Sequence, residues 1–504
     1  LFIVTAKEMY DMDHYTMHDI GLGSMLMENA GRAISDKLTA KITLESRIVV
    51  LAGGGHNGGD GFVVARTLHN LDYDVTVLQV VPDEKLSYTT AGQKEIFQRC
   101  DGEVACIEGD SIKKELSRAT VIVDGMTGLG IKGRLRSPLA EVVEEVNHSK
   151  AFVCAIDIPS GLPADEGAGD FTAVRADMTV IVGAVKESAF LQRTAPYYGA
   201  WVLVHIGHPA KAFPQKEQRF VMDEGVFKRT MPHRISDAHK GSHGKGLLIG
   251  GSDLMPGSAV LAGKAALKTG AGLLTVASTE RVIHHVASHC PEATYMALPH
   301  DHGEIVPNHD LKLAGFDAVA IGVGLGRREQ TGAFLQMVLE KARCPLIIDA
   351  DGIYHLKTCL KAAKQRTEPT IITPHPGEMA RLMDIDVKTL LAQPFYYARQ
   401  LAEIYDIYVV LKGKVTIITT PYGEQAVDLT GNPGLAKGGT GDVLTGITLA
   451  MVMQDQSIFQ ALCNACFVHG MSADIQVEQR HSMYDLMASD VITGIPAVYR
   501  TFRS

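Results

Sequence analysis

Three stretches of this chain combine acids with glycines at a spacing suited to chemistry on a phosphorylated ligand. The first is Gly53-Gly-Gly55-His56-Asn57-Gly58-Gly59-Asp60-Gly61. Glycines leave backbone amides open to a ligand, and the helical pattern that follows adds a positive N-terminal end suited to phosphate. Gly53, Gly55 and Gly58 also satisfy the dinucleotide fingerprint, with Asp72 and Asp74 near its acidic position. Alone that match is weak, and Gly59-Asp60-Gly61 is foreign to it. The second stretch is a pair of Asp-led turns, Asp124-Gly-Met-Thr-Gly128-Leu-Gly130 and Asp157-Ile-Pro-Ser160-Gly161. Carboxylates gathered in one crevice bind a cation or exchange protons, whereas an isolated Asp usually caps a turn or helix. The third is Gly431-Asn-Pro-Gly434-Leu-Ala-Lys437-Gly438-Gly439-Thr440-Gly441-Asp442, which runs into an apolar helix starting near Val443. Its amides and the helix dipole form an anion hole. Asp442, in the first turn, can accept a proton from a hydroxyl attacking a phosphoryl group. No GK[ST] ends the run, so it is not a Walker A loop.

The elements that must position these turns alternate. In the first half, buried strands at Arg47–Ala52, Asp74–Val80, Thr120–Asp124, Ala151–Asp157 and Met178–Gly183 are separated by helical patterns, with an added helix over Ser24–Leu38. Continuous apolar strands between helices imply a parallel sheet covered on both faces. The alternation weakens over 208–240 and restarts with strands at Gly246–Gly250, Gly272–Ala277, Ala318–Gly322, Pro345–Asp349, Thr370–Thr373 and Ile407–Lys412. The reading is two α/β domains, residues 1–215 and 225–504. In open α/β sheets ligands bind at the carboxyl ends of strands, where each of the acid-bearing turns falls.

Composition narrows the partners. A formal net charge of -9 argues against nucleic acid, and no apolar run of about 18 residues predicts a membrane span. The 8 cysteines are scattered, which fits a reduced, cytoplasmic setting. The Cys463/Cys466 pair reads as core packing on a buried helix, since no second metal-ligating pair accompanies it. The chain begins at Leu1 rather than Met, which points to a trimmed start.

The first half resembles the NAD(P)H-hydrate epimerase domain over residues 1 to about 210. The run 53–61, Asp124 with Gly128 and Gly130, the Asp157-to-Leu162 segment and Glu28-Asn29-Ala30-Gly31 carry the likeness. The resemblance implies a Rossmann-like doubly wound fold and potassium held by Asn57, Asp124 and Ser160. It implies hydrate contacts at His56, Asn57, Gly58, Gly59, Asp60, Gly128, Leu129, Gly130, Ile131, Lys132, Gly133, Arg134 and Asp157, with Asp157 as catalytic acid–base. The substrate would be NADHX or NADPHX, which carry a hydroxyl at C6 of the reduced nicotinamide ring. Inversion at C6 is achievable by loss and return of that oxygen, with one carboxylate shuttling the proton. His56 stands where the family usually has Asn.

The second half resembles the ADP- or ATP-dependent NAD(P)H-hydrate dehydratases, of ribokinase-like fold, over about 225–500. Gly250-Gly-Ser252, Pro256-Gly-Ser-Ala259, Gly322-Val-Gly324-Leu-Gly326, Asp349-Ala-Asp351, Pro374-His375-Pro-Gly-Glu378, Lys412-Gly-Lys-Val-Thr416 and the run ending at Asp442 carry it. It implies hydrate contacts at Ala259, Gly324, His375 and Asp442, nucleotide contacts at Lys412, Gly413, Lys414, Val415, Thr416 and Gly441, and Asp442 as catalytic base. ADP or ATP would be co-substrate with magnesium, and a homo-oligomer is expected. Lys437, where Thr is usual, would add charge near the phosphates. Two other readings stand beside this one: a vitamin-type small-molecule kinase fused to a nucleotide-binding regulatory domain, and a first half that only senses cofactor or binds protein.

Overall fold

The computed structural model describes residues 1–106, 111–131, 133–215, 218–234 and 236–502. The chain divides into two compact units, Leu1–Lys216 and Glu217–Ser504.

In the first unit, seven parallel strands run in the order Glu103–Cys106, Asp74–Gln79, Arg47–Ala52, Val121–Gly125, Phe152–Ile156, Met178–Val182, Ala200–Val204. The strand Arg47–Ala52 shows why the sheet is sandwiched. Ile48, Val50 and Ala52 enter one core with Phe62, Val64 and Leu68, while Val49 and Leu51 enter another with Val142, Val143 and Val146. Side chains alternate across a strand, so an uninterrupted apolar run feeds both faces at once. Chain direction across the sheet reverses between Arg47–Ala52 and its neighbour Val121–Gly125. That reversal opens a crevice at the carboxyl ends, beneath the turns that follow Ala52, Gly125 and Ile156.

The N-terminal segment caps the crevice. Thr5 and Glu8 form a capping box at the start of the helix Ala6–His14. The Ala6 amide donates to Asp165 at 2.6 Å, tying the helix to the loop that follows Asp157. Met9 and Met12 are buried, and a π-helical turn, Tyr15–Asp19, continues the helix. Phe2–Val4 pairs in parallel with Val185–Lys186, and the predicted 24–38 helix is Gly23–Thr39.

Two sequence expectations need correction here. The glycine run is not a loop throughout, because only Gly53–Gly55 precede the helix His56–His69. Asp72 and Asp74 do not play the dinucleotide-fingerprint role. Asp74 opens its strand, at the edge of the sheet opposite the glycine turn, where it lies 3.9 Å from Arg47.

In the second unit, parallel strands run Thr294–Ala297, Leu273–Ser278, Lys245–Ile249, Ala318–Ile321, Leu346–Ile348, Thr370–Ile372, Tyr408–Leu411. Thr416–Thr419 and Gln425–Asp428 extend them antiparallel. The doubly wound parallel sheet expected of the first half is present, and the second half is the α/β unit expected of it. The strand Arg219–Met222 pairs with Gln425–Asp428, and the helix Glu224–Thr230 follows it. This unit therefore starts before residue 225; polar residues and Pro232 close by masked two short elements. Cys463 and Cys466 lie buried in the helix Ile458–Gln479. No helix among the described residues is long and apolar enough to cross a membrane.

Candidate functional sites

A cavity of about 440 Å³ occupies the crevice of the first unit. Of the residues singled out from sequence, His56, Asn57, Asp60, Gly128, Leu129, Gly130, Ile131 and Asp157 line it. The others stand elsewhere. A Cβ on Gly58 would sit 1.9 Å from the Gly53 carbonyl oxygen, and one on Gly59 2.6 Å from Met27 Sδ. These glycines allow the helix to approach its neighbours and do not form the cavity wall. Gly133 and Arg134 lie outside the lining, Arg134 exposed and paired with Asp170 at 2.9 Å. Lys132 falls outside the described residues.

Asp157 follows the strand Phe152–Ile156 in the left-handed region, φ 62°. Asp is among the few side chains that tolerate that conformation. Its Oδ1 accepts hydrogen bonds from the Val182 amide at 2.9 Å and from the ammonium of Lys186. Lys186 is fully buried and also donates to the Val182 carbonyl at 3.1 Å. A lysine four residues after the buried strand Met178–Val182, at the end of the apolar run Gly183-Ala-Val185, was a visible signal for this partner, and the sequence reading passed over it. Asp60 shares the cavity. Burial, reinforced by the charges of Asp157 and Asp13, pushes its carboxyl well above the usual carboxylate range. Asp13, held by His208 at 2.8 Å, and Tyr10 complete the polar lining. No motif announced them, because an N-terminal helix distant in sequence delivers both.

Asn57, Asp124 and Ser160 converge behind this cavity. The Ser160 amide and hydroxyl donate to Asp124 at 2.7 and 2.5 Å, and the Met126 amide at 3.3 Å. Asn57 donates to the carbonyls of Thr127 and Ile156, both at 2.9 Å, and the Thr127 amide donates to Ser160 Oγ at 2.8 Å. Asp124 is completely buried, and that burial raises its carboxyl to about 6 despite the three donors.

In the second unit, Gly439 caps the helix Thr440–Val452 in the left-handed region, and Asp442 stands in its first turn. Beneath it, Asp349 Oδ1 accepts from Lys412 at 2.9 Å and Oδ2 from Thr445 at 2.6 Å. Burial alone would raise Asp349, but the Lys412 charge and these hydrogen bonds outweigh it and hold the carboxyl low. Burial lowers Lys412 less than Asp349, Glu378 and Asp442 raise it. Asp442 is pushed up to about 6 by burial, with the Ser258 hydroxyl and Lys412 pulling it back and Asp349 and Asp351 adding to the rise. The turn before it is braced from the helix Ile458–Gln479. Asp474 accepts from the Gly431 amide at 2.7 Å and from Asn432 at 2.8 Å, while His469 Nε2 donates to the Thr440 carbonyl at 3.0 Å.

Several second-half expectations change. Ala259 is fully buried and packs beside Gly251, so the neighbouring Ser258 is what faces Asp442. The Lys412 ammonium is engaged by Asp349 inside the protein, while Gly413, Lys414 and Val415 form the turn into Thr416–Thr419. The Lys437 ammonium donates to the Tyr484 carbonyl at 2.5 Å. Nδ1 of His375 caps the helix Pro376–Met383 while the ring stays mostly exposed. Gly324 is left-handed, φ 57°, against Ser258 and Met255.

Comparison with known proteins covers both units. The family described as NAD(P)H-hydrate dehydratase matches residues 246–496, and that described as YjeF-related protein N-terminus matches residues 23–188. A bifunctional NAD(P)H-hydrate repair enzyme of Thermofilum pendens is 34% identical over 490 residues, 95% of this chain and 92% of its own. One from Coxiella burnetii is 33% identical over 465 residues, 90% of each chain. A crystal structure of the ADP/ATP-dependent NAD(P)H-hydrate dehydratase of Bacillus subtilis, co-crystallised with ATP and Mg2+, is similar at a TM-score of 0.50 and 35% identity. It covers 56% of this chain and 98% of that one.

Proposed function

The chain belongs to the bifunctional NAD(P)H-hydrate repair enzymes, and from that premise we propose how its residues divide the work. It interconverts the R and S hydrates of NADH and NADPH at C6, and it dehydrates the S form at the expense of a nucleotide. The observation that carries the division is that each unit has its own carboxylate at the carboxyl end of a parallel sheet, Asp157 on Lys186 in one and Asp442 above Asp349 and Lys412 in the other.

In the first unit, the hydrated ring enters the cavity between Asp157 and Asp60, with Gly128 to Ile131 along one wall. Potassium would be held by Asn57, Asp124 and Ser160. The fit rests on Asp124, a fully buried carboxylate with only neutral donors described around it. Such a group gains from a hard monovalent cation. Asp124→Ala is expected to weaken hydrate binding and to remove potassium stimulation of epimerisation; an unchanged potassium response overturns the assignment.

In the second unit, the amides of Gly439 to Gly441 face the transferred phosphoryl group, and Asp442 accepts the proton of the C6 hydroxyl. The half-buried Lys412, paired with Asp349, sets the local potential, and Gly413 to Thr416 border the nucleotide. ADP or ATP serves as the phosphoryl donor, and magnesium bound with it would shield the phosphate charge. Phosphorylation converts a poor leaving group into a good one. The decisive assay supplies mixed epimers with ADP or ATP and follows recovery of reduced-nicotinamide absorbance. Repair predicts recovery with release of phosphate, and a stable phosphorylated product without recovery overturns it.

A further inference from the structure

Two carboxyl groups face one cavity of the first unit, in opposite environments. Asp157 accepts hydrogen bonds from the buried ammonium of Lys186 and from the Val182 amide. Asp60 lies in the second turn of the helix His56–His69, about nine-tenths buried, with no ion pair described to it. Around it stand Asp157, Asp13 with its partner His208, and the Tyr10 hydroxyl and His56 on the same cavity wall; burial, with the charges of Asp157 and Asp13, pushes its carboxyl well above the usual range. Two acids in contrasting surroundings, one on an ammonium and one with no ion pair described to it, are how one site supplies both a base and an acid.

We propose that Asp60 is the catalytic acid of epimerisation, working opposite Asp157, and that the pair opens and recloses the hydrated ring. The proposal rests on the epimerase reading above. Asp157 takes the proton of the C6 hydroxyl, the C6–N1 bond breaks as the C6 oxygen becomes an aldehyde, and Asp60 delivers its proton to N1. The aldehyde turns about the C5–C6 bond. N1 then adds to its other face, returns its proton to Asp60, and the C6 oxygen recovers its proton from Asp157. No atom is gained or lost, and both carboxyls end in the states in which they began. The same resting enzyme therefore serves either epimer. Loss of the C6 oxygen would behave differently: it leaves an iminium that needs only to shed a C5 proton to become the normal cofactor. An epimerase working that way would dehydrate its own substrate and leave the nucleotide-driven second unit little to do.

The test uses the full chain without nucleotide and one purified epimer, following the R/S ratio by chromatography. Asp60→Asn keeps the shape but cannot transfer a proton, so inversion should fall on the order of 100-fold, while Asp60→Glu, which keeps the acid, should retain much more of the rate than the Asn variant. Equal losses in the two variants, or an Asn variant as fast as wild type, overturn the acid role. In 18O-labelled water, wild-type enzyme should invert the carbon with its original oxygen retained in early turnovers; one label gained per inversion overturns ring opening. Wild-type enzyme that leaves the ratio at its spontaneous rate of change would instead overturn the epimerase reading itself.

Discussion

Asp442, the proposed base of dehydration, is tuned by its neighbours. Burial and the acids Asp349 and Asp351 raise its carboxyl to about 6, and Lys412 and Ser258 limit the rise. A base must be ionised to accept a proton, so dehydration should run at full rate above that value and fall about tenfold per pH unit below it. Asp442→Asn should lower kcat on the order of 100-fold and remove that acid limb, because no proton acceptor is left to titrate. Nucleotide binding should persist, since the amides of Gly439 to Gly441 remain. Calorimetry with ADP and turnover assays across pH on one preparation check both halves. Near-normal kcat would assign the base elsewhere, and lost ADP binding would make Asp442 structural.

At the level of elements, the position of Asp442 depends on how closely two helices cross. A Cβ on Gly446 would lie 2.0 Å from the carbonyl oxygen of Ala262, on the helix Pro256–Thr269 that also carries Ser258. Backbone cannot yield as a side chain does, so Gly446→Ala should force the helices apart. The expected cost is about 1–3 kcal/mol, with a drop in dehydration because Ser258 and Asp442 separate. Gly92→Ala is the control: nothing lies within 4 Å of that position on the helix Tyr88–Arg99, and the change should stabilise by about 0.5–1 kcal/mol. Urea midpoints distinguish the two. The same contrast marks what could be read without coordinates. Buried strands such as Val121–Gly125 and the turns after them were legible because apolar runs and glycine–acid turns are local patterns. Lys186, Asp13, Tyr10, Ser258 and Asp474 were not picked out, because each reaches its site by packing from another element. Gly58 and Gly59 make a related point: a glycine needed for close packing looks, in sequence, like one needed for a ligand.

Across the whole molecule, each unit carries its own proposed acid–base group, with Asp157 in Leu1–Lys216 and Asp442 in Glu217–Ser504. Their chemistry is therefore separable within an intact chain. Asp157→Asn removes the proton acceptor of the first unit and leaves every residue of the second in place. Supplied with mixed epimers and ADP or ATP, this variant should restore the S fraction at the wild-type rate. The R fraction should then recover only as fast as it epimerises spontaneously, so the absorbance trace becomes biphasic, with a fast amplitude equal to the starting S content. Adding the Asp442→Asn chain, whose epimerase site is intact, should convert the slow phase into a fast one. Complementation between two chains, each defective in one step, requires that the intermediate leave one protein and enter another. If the mixture stays biphasic while each chain alone keeps its remaining activity, the S hydrate does not pass between them fast enough, and repair depends on both sites belonging to the same molecule.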